Sequence, residues 1–170
     1  ALTNATAIGS GAVVNASNKI RLGNAAVTVI EGQVAYTFSS DRTKKEHITP
    51  VSPEAVLGKV AHLPVSSWNY IGHDPQAHRH YGPMAQDFYA AFGEDGVGRI
   101  GTATTLNTGD LAGVLLLAVQ ALKERSEAQA LAMSTQARRI AELEQERQGH
   151  MARLGELEQG RLVHSAAMAG

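Results

Sequence analysis

The chain has 170 residues, 15 Lys+Arg against 16 Asp+Glu, and no cysteine. That balance argues against nucleic-acid binding by bulk charge, and the missing thiols exclude disulfide scaffolds, Cys-based zinc sites and thiol catalysis. Hydrophobic residues make up 44% and aromatics only 5%, so the expected core is Ala, Val, Leu and Ile. The longest apolar run, 111–119, is too short to span a bilayer. No basic-then-apolar signal pattern opens the chain, and a start without Met is expected of a fragment of something longer.

Residues 1–38 are rich in Gly, Ala, Asn, Val and Thr and nearly free of charge. Short β-favouring runs at Lys19–Leu22, Val27–Ile30 and Val34–Phe38 are punctuated by Gly9, Gly11, Gly23-Asn24 and Gly32, which predicts short strands with Gly/Asn corners. None can bury a face alone. The pattern suits a β-solenoid, or a β-prism in which several chains share one axis.

Residues 39–108 are mixed. Ser52 as N-cap and Pro53 at the first position predict a short helix over 53–60. Val65–Ile71, which holds the only Trp, reads as a strand, His73–Arg79 as a polar loop, and Gly82–Phe92 as a second helical pattern. Thr102–Leu106 reads as a short strand, followed by an Asn-Thr-Gly-Asp turn in which Asp110 caps the next helix.

From Asp110 to about His164 no proline interrupts a run of strong helix formers. A heptad frame places Val119, Ser126, Met133, Ile140, Arg147, Leu154 and Arg161 at a, and Leu122, Gln129, Gln136, Leu143, His150, Leu157 and His164 at d. The seam alternates apolar and polar layers, as in a coiled coil of modest stability. A helix of about 75 Å, at 1.5 Å per residue, overshoots a domain this small. In a trimer His150 and His164 would form hydrated polar layers on the axis.

The junction Ser39-Ser40-Asp41-Arg42-Thr43-Lys44-Lys45-Glu46-His47 places a serine five residues before a lysine. Such a pair can act as nucleophile and base, a variant of the serine triad, provided desolvation or a neighbouring cation favours the neutral amine. By spacing alone, the same residues are also what a solvated turn at a module boundary contains.

Ser40-Asp41 followed by Lys45-Glu46-His47-Ile48 resembles the opening motif of the intramolecular chaperone auto-processing domain, the peptidase S74 family of phage tailspikes, endosialidases and tail fibres. Further landmarks follow in order: Ala55–Val60 resembles the family's first helix, Val65–Tyr70 its following strand, Tyr81–Phe88 its Gly-x-x-Ala-Gln-Glu segment, and Leu115–Leu122 the helix leading into a trimeric coiled coil. The likeness covers about Ser40 to Arg125. Thr43-Lys44 stands where the family often has Arg-Leu, and Asp87 where it has Glu. The resemblance implies a homotrimer that folds an upstream fibrous β-structure and then cuts itself off between Ser39 and Ser40. Ser40 is then the nucleophile, Lys45 the general base, and Asp41 the residue that positions the turn or Lys45.

Asn4–Ala12 and Ser17–Asn24 look like the head repeats of trimeric autotransporter adhesins, whose turns stack in a trimeric β-roll. The expected architecture is α+β in three parts: a trimeric β-roll or β-prism segment at 1–39, a small mixed chaperone domain at 40–109, and a coiled-coil helix with a frayed tail at 110–170. A single turnover in cis needs no cofactor. His73, His78 and His80 with Asp74 lie in a polar loop without helical spacing, so no metal is expected there. Expected partners are two further copies of the chain and the upstream fibre domain, with no nucleic acid and no membrane, in a phage tail or on a bacterial surface. The alternative is a trimerisation and capping module that stays attached to an adhesin or fibre. A membrane-tethered regulator, as in a eukaryotic branch of the family, would need a DNA-binding domain or a membrane span.

Overall fold

The computed structural model describes residues 1–168; Ala169 and Gly170, the end of the expected frayed tail, lie outside the described residues. The fold is α+β. Strands β1 (Ala5–Ile8) and β2 (Lys19–Leu22) precede a 3-10 turn at Arg42–Lys44, then helix α1 (Pro53–Val60), strands β3 (Ser66–Trp68) and β4 (His80–Gly82), helix α2 (Ala85–Phe92) and helix α3 (Thr108–Ala167). Two compact units divide the chain, one of residues 1–51 with 59–112, the other of 52–58 with 113 onward.

In the first unit β1 and β2 pair in parallel with Ala5 opposite Lys19 and Ile8 opposite Leu22, a register of fourteen residues. Every corner repeats at that interval. Asn4 and Asn18 both take left-handed backbone, at φ 51° and 56°, and Asn4 Nδ2 donates to Asn18 Oδ1 at 3.1 Å. Thr3 N donates to Ser17 Oγ at 3.1 Å, Gly23 N to Ile8 O at 2.8 Å and Asn24 Nδ2 to Ser10 O at 2.9 Å. Gly9, at φ 113°, lies so near Gly23 that a β-carbon on it would sit 3.3 Å from the Gly23 Cα. Parallel pairing with stacked asparagines and glycine corners is one winding of a coil.

Val27–Ile30 and Val34–Phe38, expected as strands, form no ladder. Their side chains are largely exposed, Tyr36 at 92% and Val34 at 86%. β-Propensity is realised only against a neighbouring strand and a packed face, and the chain supplies neither here.

β3 and β4 pair antiparallel with Trp68 opposite His80, and Arg79 ties the loop to the hairpin by donating to Asn69 Oδ1 at 2.9 Å and Ser67 Oγ at 2.7 Å. Phe88 and Phe92, one turn apart on α2, are the buried aromatics, with centroids 5.1 Å apart. Lys59 lays its ammonium 5.3 Å from the Phe92 centroid and donates to Ala91 O at 2.7 Å. Thr102–Leu106 is not a strand. Thr102 Oγ1 accepts from Thr104 N and Thr105 N at 3.3 and 3.1 Å, so a side-chain turn outcompetes the ladder.

Ser52 caps α1 as expected, accepting from Ala55 N at 3.3 Å. The α3 cap differs from expectation: Asn107 Oδ1 accepts from Gly109 N at 2.8 Å, and Asp110 lies inside the first turn. Asparagine caps as well as aspartate and sits three residues earlier. In the second unit Val56, Ala118 and Ala121 are buried, and the Arg125 guanidinium forks onto both oxygens of Glu54, with Nε–Oε2 at 3.1 Å. The 60 residues of α3 run for about 90 Å.

Candidate active site

Five residues of extended chain would hold Ser40 and Lys45 about 16 Å apart. A local turn closes that distance. Asp41 is extended (φ −65°, ψ 129°) and its carboxylate accepts from Thr43 N at 2.9 Å, starting the 3-10 turn in which Lys44 N donates to Asp41 O and Lys45 N to Arg42 O at 3.1 and 3.2 Å. The bonds from Thr43, the backbone one foremost, hold the Asp41 carboxyl below its ordinary pKa. Past the turn Lys45 returns to extended backbone, and its Nζ donates to Ser40 Oγ at 2.7 Å.

Ser40, Asp41 and Lys45 are thus brought together by one turn, and all three are exposed. Amine and hydroxyl stand within proton-transfer distance, and the Ser39 carbonyl is one bond from the Ser40 nitrogen. Beyond Lys45, Glu46 and His47 approach to 4.0 Å, with His47 in left-handed backbone at φ 51°. The Thr43 backbone N–H, which carries the turn, was not singled out in the sequence; an Asp two residues ahead of it is the signal that marks such a turn.

The loop histidines are not scattered. His80 lies against Trp68 with centroids 4.7 Å apart, Tyr70 packs edge-on to Trp68, His73 and His80, and His73 meets His78 at 5.8 Å. His73 Nε2 lies 3.2 Å from Ala25 O, while His73 Nδ1 and Trp68 Nε1 are buried without partners. Asp74 is a turn former, accepting from Gln76 N at 2.9 Å. Among the described residues no group of three His, Cys, Asp or Glu is placed to hold a metal ion.

Residues 40–97 match the family Peptidase_S74, chaperone of endosialidase. Over that segment the chain is similar to this family. Its match begins at Ser40 and takes in the Asp41 turn, Lys45, α1, the β3–β4 hairpin and α2. That likeness supports a chaperone role. The likeness drawn for Leu115–Leu122 lies beyond the matched residues. No curated protein matches the chain. Among the described residues no helix is long and apolar enough to cross a membrane.

Proposed function

We propose that the chain is an intramolecular chaperone that assembles three copies, folds the β-structure upstream of it, and then releases itself between Ser39 and Ser40. The observation that carries this reading is the 2.7 Å approach of Lys45 Nζ to Ser40 Oγ at the first residue of the Peptidase_S74 match.

In the reaction Ser40 Oγ attacks the carbonyl carbon of Ser39 while Lys45, as the neutral amine, takes the hydroxyl proton. The C–N bond of the tetrahedral intermediate breaks, Lys45 returns the proton to the departing Ser40 nitrogen, and an ester joins the Ser39 carbonyl to Ser40 Oγ. Water hydrolyses the ester, leaving a carboxylate on Ser39 and Ser40 as a new N-terminus. Asp41 positions both groups through its turn. Backbone or side-chain donors must stabilise the oxyanion. A lysine base works in a desolvated setting, whereas Ser40 and Lys45 are exposed in the single chain. Neighbouring copies would supply the enclosure, which makes cleavage conditional on assembly.

Trimerisation is supported by apolar surface that one chain leaves open. The heptad residues Leu122, Ile140, Leu143, Leu154 and Leu157 are all exposed along α3, as are the Val27–Phe38 side chains. Three copies around one axis would cover the first set as a coiled coil and pair the second as a β-roll or β-prism. In this arrangement 1–39 is the end of the fibre, 40–109 the chaperone domain and 110–170 the coiled coil, in a phage tail or surface fibre. The benefit is kinetic: interlocked β-structure is rich in non-local contacts and folds slowly, and removing the template afterwards removes the route to reversible unfolding.

Intact-mass measurement of the expressed chain tests this, with light scattering run beside it. Wild type yields a fragment that begins at Ser40. Ser40→Ala and Lys45→Ala each stay whole while assembling like wild type. Wild type that stays whole after prolonged incubation overturns the cleavage step and leaves the attached trimerisation module.

A further inference from the structure

Phe38, the last apolar residue ahead of the junction, is 67% exposed, and its ring rests on the first turn of α3. A β-carbon on Gly109 would lie 3.4 Å from Phe38 Cζ and 3.8 Å from Cε1, ordinary van der Waals contact, so the ring lies against the helix at this residue. Asn107 fixes that turn from the other side. Its Oδ1 accepts from Gly109 N at 2.8 Å, its carbonyl accepts from Leu111 N at 3.1 Å, and the same β-carbon would come within 3.2 Å of Oδ1.

We propose that Phe38 is a positioning residue for the Ser39–Ser40 bond, seated on Gly109 so that the scissile peptide is held from both sides. The inference rests on the self-cleavage reading above. Downstream, the Asp41 turn fixes Ser40 against Lys45; upstream, residues 27–38 form no strand ladder, and Phe38 immediately precedes Ser39. Intramolecular attack at a carbonyl is fast only from a narrow range of geometries, and loss of one anchor spreads the peptide over unproductive ones. The seat also gives α3 a direct hold on the chemistry. It exists only while the Asn107-capped turn is formed, so whatever stabilises the start of α3 stabilises the placement of the scissile bond.

First-order cleavage rates on the full chain, with assembly checked by light scattering, test the proposal. Phe38→Ala slows cleavage about tenfold or more, within the range misplacement of a reacting group produces, and Phe38→Leu recovers most of the rate. Gly109→Val, whose methyl groups reach beyond the contacting β-carbon, displaces the ring and slows it similarly, whereas Gly109→Ala, whose β-carbon only meets the ring, keeps most of the rate. Adding either Gly109 substitution to Phe38→Ala brings no further loss, since the seat is already empty. The pH midpoint of the rate stays where it is in wild type, because Phe38 touches no transferred proton. Wild-type rates in assembled Phe38→Ala, or independent multiplying losses in the double variant, overturn the seat while leaving self-cleavage standing. Wild type that does not cut overturns both, and that outcome is distinct because it appears before any substitution is made.

Discussion

The Asp41 carboxylate makes no contact with Lys45 that explains its place; it holds the Thr43 N–H and through it the turn that brings Lys45 back to Ser40. The acceptor oxygen rather than the charge is what the turn needs. Asp41→Asn therefore keeps cleavage close to wild type and Asp41→Ala slows it several-fold, read by intact mass over time. The folded Asp41 pKa lies below its unfolded value, so the turn's contribution is complete above the unfolded value, about 3.9, and is lost as the pH falls through the lower, folded one. Acid below the ordinary carboxylate range thus loosens the turn, which the chemical shift of the Thr43 amide reports. Elsewhere in the same unit, Phe92→Ala removes half of the buried aromatic pair and costs about 3–5 kcal/mol. A thermal melt measures the loss, and one under 1 kcal/mol would show that the pair is not the core.

At the scale of elements, local chemistry was legible and pairing was not. α1 was readable because Ser52 and Pro53 announce it before the apolar residues begin. The α3 cap falls at Asn107 rather than Asp110 because both residues are good caps and only geometry chooses between them. Val27–Ile30 and Val34–Phe38 carry the right side chains for strands, but a strand needs a neighbour, and composition does not say whether the chain provides one. The fourteen-residue winding was written in the sequence as Asn4/Asn18 and Gly9/Gly23, a coincidence of intervals visible once β1 and β2 are paired. Ser40 and Lys45 could be named from spacing and family likeness; that they meet depends on a turn set by the Thr43 backbone. Gly9→Val tests the winding. A β-branched residue at φ 113° beside Gly23 costs about 1–3 kcal/mol of local strain, so amide exchange at Lys19–Leu22 rises while α2 keeps its protection. Unchanged exchange would mean that β1 and β2 do not depend on that corner.

At the scale of the molecule, the question is what covers the apolar stripe of α3. The pairs Lys123–Glu127 at 2.9 Å and Arg139–Glu142 at 3.1 Å are exposed and contribute little, so in the proposed trimer a helix of this length would draw its stability from the heptad layers. Ile140→Asp with Leu143→Asp puts charges into one of the best layers. The variant is expected to sediment as a monomer, against about three times the 18.0 kDa chain mass for uncut wild type, and to lose helical ellipticity on dilution. Assembly and cleavage then stand or fall together. The most direct measurement separates freshly made wild-type chain by size and takes the intact mass of each fraction. The account predicts fragments beginning at Ser40 in the trimeric fraction and whole chain in the monomeric one. Monomer cut as fast as trimer, or trimer that stays whole, would contradict it.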